Sequence, residues 1–223
     1  MRLFMIDAIG PFFRGSDAIK INWSKIPFDQ LALEGEARER QFANIRADMA
    51  AFAGRVSALG YNAVSIDDVI HLVDHKWYEA SVREQIKVIS AEFRSIFALL
   101  GAHDLKVYVT IDVFSSTPGL RAQLKNNKTS KEKFLRDLLD RFLLQWPEVS
   151  GVIMRIGESD GLDVRSEFKS ELLVKTPGQL NQLLKTVLPV FEQQSRRLIL
   201  RTWTVGAYPI GDLIWHRDTL ARS

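Results

Sequence analysis

The chain has no cysteine among its 223 residues. Disulfides, thiolate nucleophiles and cysteine-held metals are excluded, and the redox compartment is left open. Long apolar runs are missing too: no stretch reaches the roughly 18 residues a membrane span needs, so no membrane partner is expected. The N-terminal segment MRLFMIDAIGPFF carries Asp7 inside its short apolar run and has no small-residue cleavage site. It reads as a strand and not as a signal peptide. Charge of one sign is nowhere concentrated. Thirty Lys and Arg stand against 27 Asp and Glu, a net +3, with no basic block to track a nucleic-acid backbone, despite a pI near 9.2. There is no G-x-G-x-x-G after the first strand, no Walker loop and no G-x-S-x-G elbow, which argues against nucleotide binding and a serine triad. No Pro/Ser/Gly-rich linker interrupts the chain, so residues 1–223 are assigned to one domain.

What is there is a composition of 46% hydrophobic and 26% charged residues, ordinary for a globular protein. One pattern recurs: an apolar, β-branched strand, a polar loop, an amphipathic helix, then the next strand. Strands are expected over 2–9, 62–70, 105–113, 149–156 and 198–204. The first helix, from about 37 to 59, carries Phe42, Ile45, Met49, Phe52, Val56 and Leu59 at steps of three and four, and Gly60 ends it. The second carries Ile86, Ile89, Phe93, Ile96 and Leu100, with Gly101 as its stop. Ser81 with Glu84 and Thr129 with Glu132 have the spacing of capping boxes, and Thr176-Pro177-Gly178-Gln179 is a third start signal, with Pro at the first helical position. The helix after Thr176 carries Leu180, Leu183, Leu184, Val187, Leu188 and Phe191.

Strands alternating with helices at this pitch mean βαβ units and a parallel sheet. A doubly wound open sheet would bury both faces of its strands under helices, and both would be apolar. These strands have one apolar face, such as Val107, Val109, Ile111 and Val113. The other face turns polar toward its C-terminal end, as in Tyr108, Thr110 and Asp112. Every strand delivers chemistry there: Asp7, Asp67 and Asp68, Asp112, Glu158 and Trp203. The expected fold class is therefore α/β, a parallel (β/α) barrel of TIM type. Eight units take roughly 250 residues, and only five are found. The barrel is expected to be incomplete, the N-terminal part of a longer one, with self-association through its open sheet edges expected if the chain is complete.

The segment VIMRIGESDG is the richest in chemistry: a hydrophobic strand delivering Glu158 into a glycine-flanked loop. A carboxyl group kept protonated near neutral pH at that position can act as a general acid. The bland alternative is a Glu that caps the loop or pairs with Arg155 or Arg201. Asp160 either orients a substrate group or caps the turn at Gly161. Asp67, Asp68 and Asp112 are expected to line the same mouth, with no more than one of the adjacent pair facing it, because neighbouring side chains diverge on a strand. Arg155 and Arg201 point inward from neighbouring strands, toward a ligand carboxylate or phosphate or into an internal salt-bridge network with Asp112, Asp67 or Glu158. Trp23, Trp77, Trp203 and Trp215 lie in or beside loops on one side of the sheet, where flat apolar faces suit stacking on sugar rings. Trp23 and Trp203 are the candidates for that contact, and His216 is a further one. His71 and His75 have i,i+4 spacing, but no third ligand has matching spacing, so no metal is assigned.

GYNAVSIDD on the second strand, VYVTIDVF on the third, MRIGESDG on the fourth and LRTWTVGAYPIGDLIWH on the fifth together resemble barrel glycoside hydrolases, of α-glucuronidase-like or β-hexosaminidase-like type. Gly157-Glu158-Ser159 replaces the Asn-Glu or Asp-Glu that such barrels often carry. The resemblance implies a carbohydrate substrate and hydrolysis of glycosidic bonds, with Glu158 as the acid and no cofactor. Two rivals are kept: a non-catalytic sugar-binding barrel fragment, and a metal-dependent barrel hydrolase or aldolase-like enzyme built on Asp67, Asp112 and His71.

Overall fold

A computed structural model describes residues 2–14, 25–125, 127–156 and 167–201. In chain order the strands are β1 Met5–Ile6, β2 Ala63–Ile66, β3 Lys106–Asp112, β4 Ser115–Ser116, β5 Val149–Arg155, β6 Lys169–Ser170 and β7 Arg197–Arg201. The helices are α1 Gly35–Ala58, α2 Ala80–Ala102, α3 Pro118–Leu124, α4 Lys128–Gln145 and α5 Pro177–Gln193. Five strands form one parallel sheet in the order β1-β2-β3-β5-β7. Spatial order follows chain order. A doubly wound sheet would instead reverse at a switch point, so this is the winding of a barrel.

The sheet curls. In a flat sheet, four inter-strand steps of about 4.8 Å would hold β1 and β7 about 19 Å apart. Yet Arg201 Nη1 of β7 lies 3.2 Å from Oδ2 of Asp7, one residue beyond β1. Two side chains reach across only if the edges bend toward each other. The result is a curled half-barrel of TIM type with helices on its convex side.

The two strand faces sort as their two-residue period requires. Outward, Val64, Ile66, Val107, Val109, Ile111, Val152 and Met154 pack into one core with the helix stripes. Those stripes include Phe42, Ile45 and Met49 of α1, Ile86, Ile89 and Phe93 of α2, and Leu180, Leu183 and Val187 of α5. Inward, Ala63, Tyr108 and Ile153 form a smaller buried layer, with Leu3, Met5 and Ile199 against it. Gly151 belongs to this inner layer. A Cβ there would stand 2.1 Å from the Arg197 carbonyl oxygen and 3.0 Å from Tyr108 Cε1, so glycine lets β5 lie against the backbone of β7.

Several local expectations shift. Leu59 lies beyond the end of α1 and is 77% exposed, and Leu188 is 39% exposed, so neither joins its stripe. Gly60 does take the left-handed conformation expected of it, with φ +90°. Gly101 does not stop α2, which runs on to Ala102; the left-handed residue is Asp104. The start signal at Thr176 holds: Thr176 precedes α5, its hydroxyl accepts from Gln179 N at 3.2 Å, and Gln179 Oε1 accepts from Lys175 N at 2.7 Å. The boxes at Ser81 and Thr129 do not: α2 starts after Glu79 and α4 after Asn127, whose side chain accepts from Ser130 N. Glu79 instead accepts from Gly119 N at 2.6 Å, tying the start of α2 to α3. Strands one and two are shorter than expected, at Met5–Ile6 and Ala63–Ile66, and Val69–His71, expected to end the second strand, is a 3-10 turn.

Candidate active site

The polar ends of the inner face converge on one buried guanidinium. Asp112 closes β3, Arg155 closes β5, and the register sets them side by side. Arg155 is fully buried. Its Nη1 lies 3.0 Å from Asp67 Oδ1, its Nη2 3.1 Å from Asp68 Oδ2 and its Nε 2.7 Å from Asp112 Oδ1. The last contact is a close ion pair with poor alignment for a hydrogen bond. Thr110 Oγ1 donates to Asp67 Oδ1, and the Ile26 amide donates to Asp67 Oδ2 at 3.2 Å. Ile70 N donates to Asp68 Oδ1 at 3.4 Å. Ser170 Oγ donates to Asp112 Oδ2 at 2.6 Å, and Lys25 Nζ stands 3.4 Å from the same oxygen. Every oxygen of the three carboxylates therefore meets a protein group.

The expectation that only one of Asp67 and Asp68 faces the interior does not hold. The strand ends at Ile66, the peptide between the two aspartates is cis, and Asp68 caps the following 3-10 turn. Off the strand, side chains no longer alternate, and both carboxylates meet Arg155.

Burial and charge together set the pKa values of Asp68 and Asp112. Three carboxylates face two cations, Arg155 and Lys25, in water-excluded surroundings. Burial pushes the Asp68 carboxyl well above the usual range; Arg155 opposes this, and Asp67 and Asp112 add to it. For Asp112 burial acts in the same direction, but Arg155, Lys25 and the Ser170 hydrogen bond outweigh it and hold its pKa low. Of Asp68 and Asp112, Asp68 is thus the carboxyl whose neutral form its surroundings favour.

Arg201 and Asp7 form a separate, partly exposed pair, with Ser65 Oγ donating to Asp7 Oδ1 at 2.6 Å. Glu158, Asp160, Trp23, Trp203 and His216 lie outside the described residues. His71 does not join Asp67 and Asp112: its ring stacks on Phe28 at 3.8 Å and meets the edge of Phe168 at 5.0 Å. Burial first, then Lys25, lowers its pKa to about 3. Among the described residues no three His, Asp or Glu side chains are grouped to hold a metal.

Sequence reasoning missed Lys25 and Ser170. Ser170 belongs to β6, which pairs antiparallel with β4, and Ser115 Oγ lies 3.0 Å from Ser170 Oγ. Glu171 continues the tie, accepting from Ser116 Oγ at 3.0 Å and from Lys131 Nζ at 2.5 Å. This pins the segment returning from the loop after β5 onto the loop after β3. Two-residue strands carry no periodicity to detect. The one available signal was Lys25 itself, a lone cation just ahead of the apolar Ile26-Pro27-Phe28.

No known family profile and no curated protein sequence matches the chain. Among solved structures it is similar to a GH138 enzyme targeting pectin rhamnogalacturonan II, with TM-score 0.53 and 11% identity over 84% of this chain and 23% of that one. What is shared is the fold. The chain spans 23% of the length of that enzyme. It also matches GH5_18 from Streptomyces cattleya in complex with GlcNAc, at TM-score 0.40 and 16% identity over 71% of this chain and 39% of that one. A maltogenic α-amylase from Thermotoga neapolitana matches at TM-score 0.35 and 14% identity, over 76% and 44%.

Proposed function

We propose that this chain is part of a glycoside hydrolase barrel that cleaves glycosidic bonds by carboxylate acid/base catalysis. The observation that carries the reading is the layering of the half-barrel. An apolar floor of Ala63, Tyr108 and Ile153 lies beneath acidic residues gathered at the C-terminal ends of β2 and β3, where barrels of this type keep their sites. The fold shared with a GH138 enzyme agrees with it. In this reading further βα units complete the wall between β7 and β1.

Glu158, two residues past the described end of the strand wall at Ile156, is the general acid. It gives a proton to the glycosidic oxygen as the bond to the anomeric carbon breaks; water supplies the hydroxyl that replaces it, and the remaining proton of that water restores the Glu158 carboxyl. Asp160 orients a substrate group. Asp67, Asp68 and Asp112 form the base of the sugar site, with Arg155 as their anchor. Arg201 meets an acidic or polar substituent, Trp23 and Trp203 stack on rings, and His216 is a further contact.

The test is turnover and binding by the wild type and Glu158→Gln on a panel of neutral and uronic-acid glycosides. Turnover lost with binding kept supports the assignment; turnover unchanged on every substrate ends it. A second reading, a sugar-binding barrel without turnover, draws on the engagement of every oxygen of Asp67, Asp68 and Asp112 by the protein. Wild-type binding with no hydrolysis anywhere in the panel would favour it.

A further inference from the structure

A second cleft lies on the same end of the barrel and shares no residue with the Arg155 cluster. It has a volume of about 450 Å³, within the range of small-ligand sites. One wall is the segment after β2 that carries Lys76 and Trp77, and the other is α4 with Lys133, Phe134, Asp137 and Arg141. The Trp77 indole stacks on buried Phe134, with ring centroids 6.2 Å apart and planes within 18°. His75 meets Phe134 edge-on at 4.8 Å, which fixes this aromatic floor from the side. Trp77 is half-buried, a flat apolar surface open to the cleft.

Cations surround the floor. Lys76 Nζ stands 5.9 Å over the indole centroid, and neither Lys76 nor Lys133 has a carboxylate partner among the described residues. Arg141 uses one nitrogen on the Asp74 carbonyl at 3.1 Å. The acid in the cleft, Asp137, is paired with Arg136 at 2.6 Å. Burial, then Arg141 and Lys76, lowers the pKa of His75. The positive charge in the cleft comes from lysine and arginine.

A flat indole suits the apolar face of a pyranose, and separated point charges around it suit carboxylates spaced along a chain. We propose that this cleft is a second carbohydrate site, which holds an acidic, uronic-acid-bearing stretch of glycan beside the barrel mouth. This deepens the glycoside-hydrolase reading and rests on it. Trp77 stacks on a ring, and Lys76 and Lys133 pair with ring carboxylates. The site holds the chain and takes no part in bond cleavage.

The test is titration of the full ¹⁵N-labelled chain, as Glu158→Gln so that no ligand is consumed, with a trimer of a 1,4-linked hexuronic acid and with its methyl ester. The Trp77 indole resonance is identified by its loss in Trp77→Phe. The free acid is expected to move that resonance. The methyl ester, and the free acid with Lys76→Glu/Lys133→Glu, are expected to bind about tenfold more weakly. No movement of the Trp77 resonance, movement confined to other tryptophans, or equal binding of acid and ester overturns the proposal. The ester comparison uses unaltered cleft residues, so it decides even if the charge-reversed variant does not fold. Binding is read without turnover, so the proposal stands or falls separately from hydrolysis.

Discussion

Replacing His71 with Phe should remove a defined part of the acid sensitivity of this protein. The ring is 8% exposed, stacks on Phe28 at 3.8 Å and faces Phe168 edge-on. Burial, with Lys25 adding to it, lowers its pKa from 6.5 to about 3. The folded state therefore binds the proton more weakly than the unfolded chain. Stability from this group is complete above pH 6.5 and is lost as pH falls from there toward 3. At pH 5 the unfolded imidazole is mostly protonated and the folded one is not, which costs about 2 kcal/mol relative to pH 7.5. Any folded value below about 4 gives nearly the same figure, because the unfolded chain sets the slope there. Phe keeps the stacked ring and cannot titrate. Urea unfolding of wild type and His71→Phe at pH 7.5 and pH 5.0 measures the difference. His75, Asp68 and Asp112 titrate in both proteins and cancel. The wild type should lose about 2 kcal/mol more than the variant between the two pH values. Equal losses would mean that His71 is protonated inside the folded protein and that its burial is misjudged.

Two further outcomes follow from the inner face. Arg155→Met leaves Asp67, Asp68 and Asp112 buried around a missing cation and should destabilise by about 3–5 kcal/mol in urea unfolding at neutral pH. Adding Asp67→Asn and Asp112→Asn should recover part of that loss, and a loss under about 1 kcal/mol for Arg155→Met alone would deny that it anchors the cluster. Gly151→Ala puts a methyl group 2.1 Å from the Arg197 carbonyl and should part β5 from β7, costing about 2 kcal/mol or more and loosening the amides of the β5–β7 ladder in hydrogen exchange. Wild-type stability in that variant would mean that the inner layer is looser than described.

The parts of the fold that were legible in the sequence are those written in periodicity. Val107, Val109 and Ile111 against Tyr108, Thr110 and Asp112 separated the helix-facing from the inward-facing side of β3, and the register then placed Asp112 beside Arg155. The Arg155 salt-bridge network was one of two readings of that arginine, and the geometry realises it. What was not legible comes from contacts between segments distant in sequence. Glu79 rather than Ser81 precedes α2 because its carboxylate is held by the Gly119 amide. Lys25 reaches Asp112 from outside any strand or helix and Ser170 from the two-residue β6, neither with a repeating pattern. Asp67 and Asp68 converge because β2 ends one residue before them, and element ends are the least sharply encoded feature of a sequence.

Glu158 as a general acid is tested most directly by the dependence of rate on the leaving group. Alkyl glycosides need the departing oxygen protonated, whereas dinitrophenyl glycosides do not. Glu158→Gln should cut the rate of bond cleavage by about 10²–10⁴-fold on the alkyl glycoside and by less than about tenfold on the dinitrophenyl one. The same loss on both, or none on either, would contradict the account.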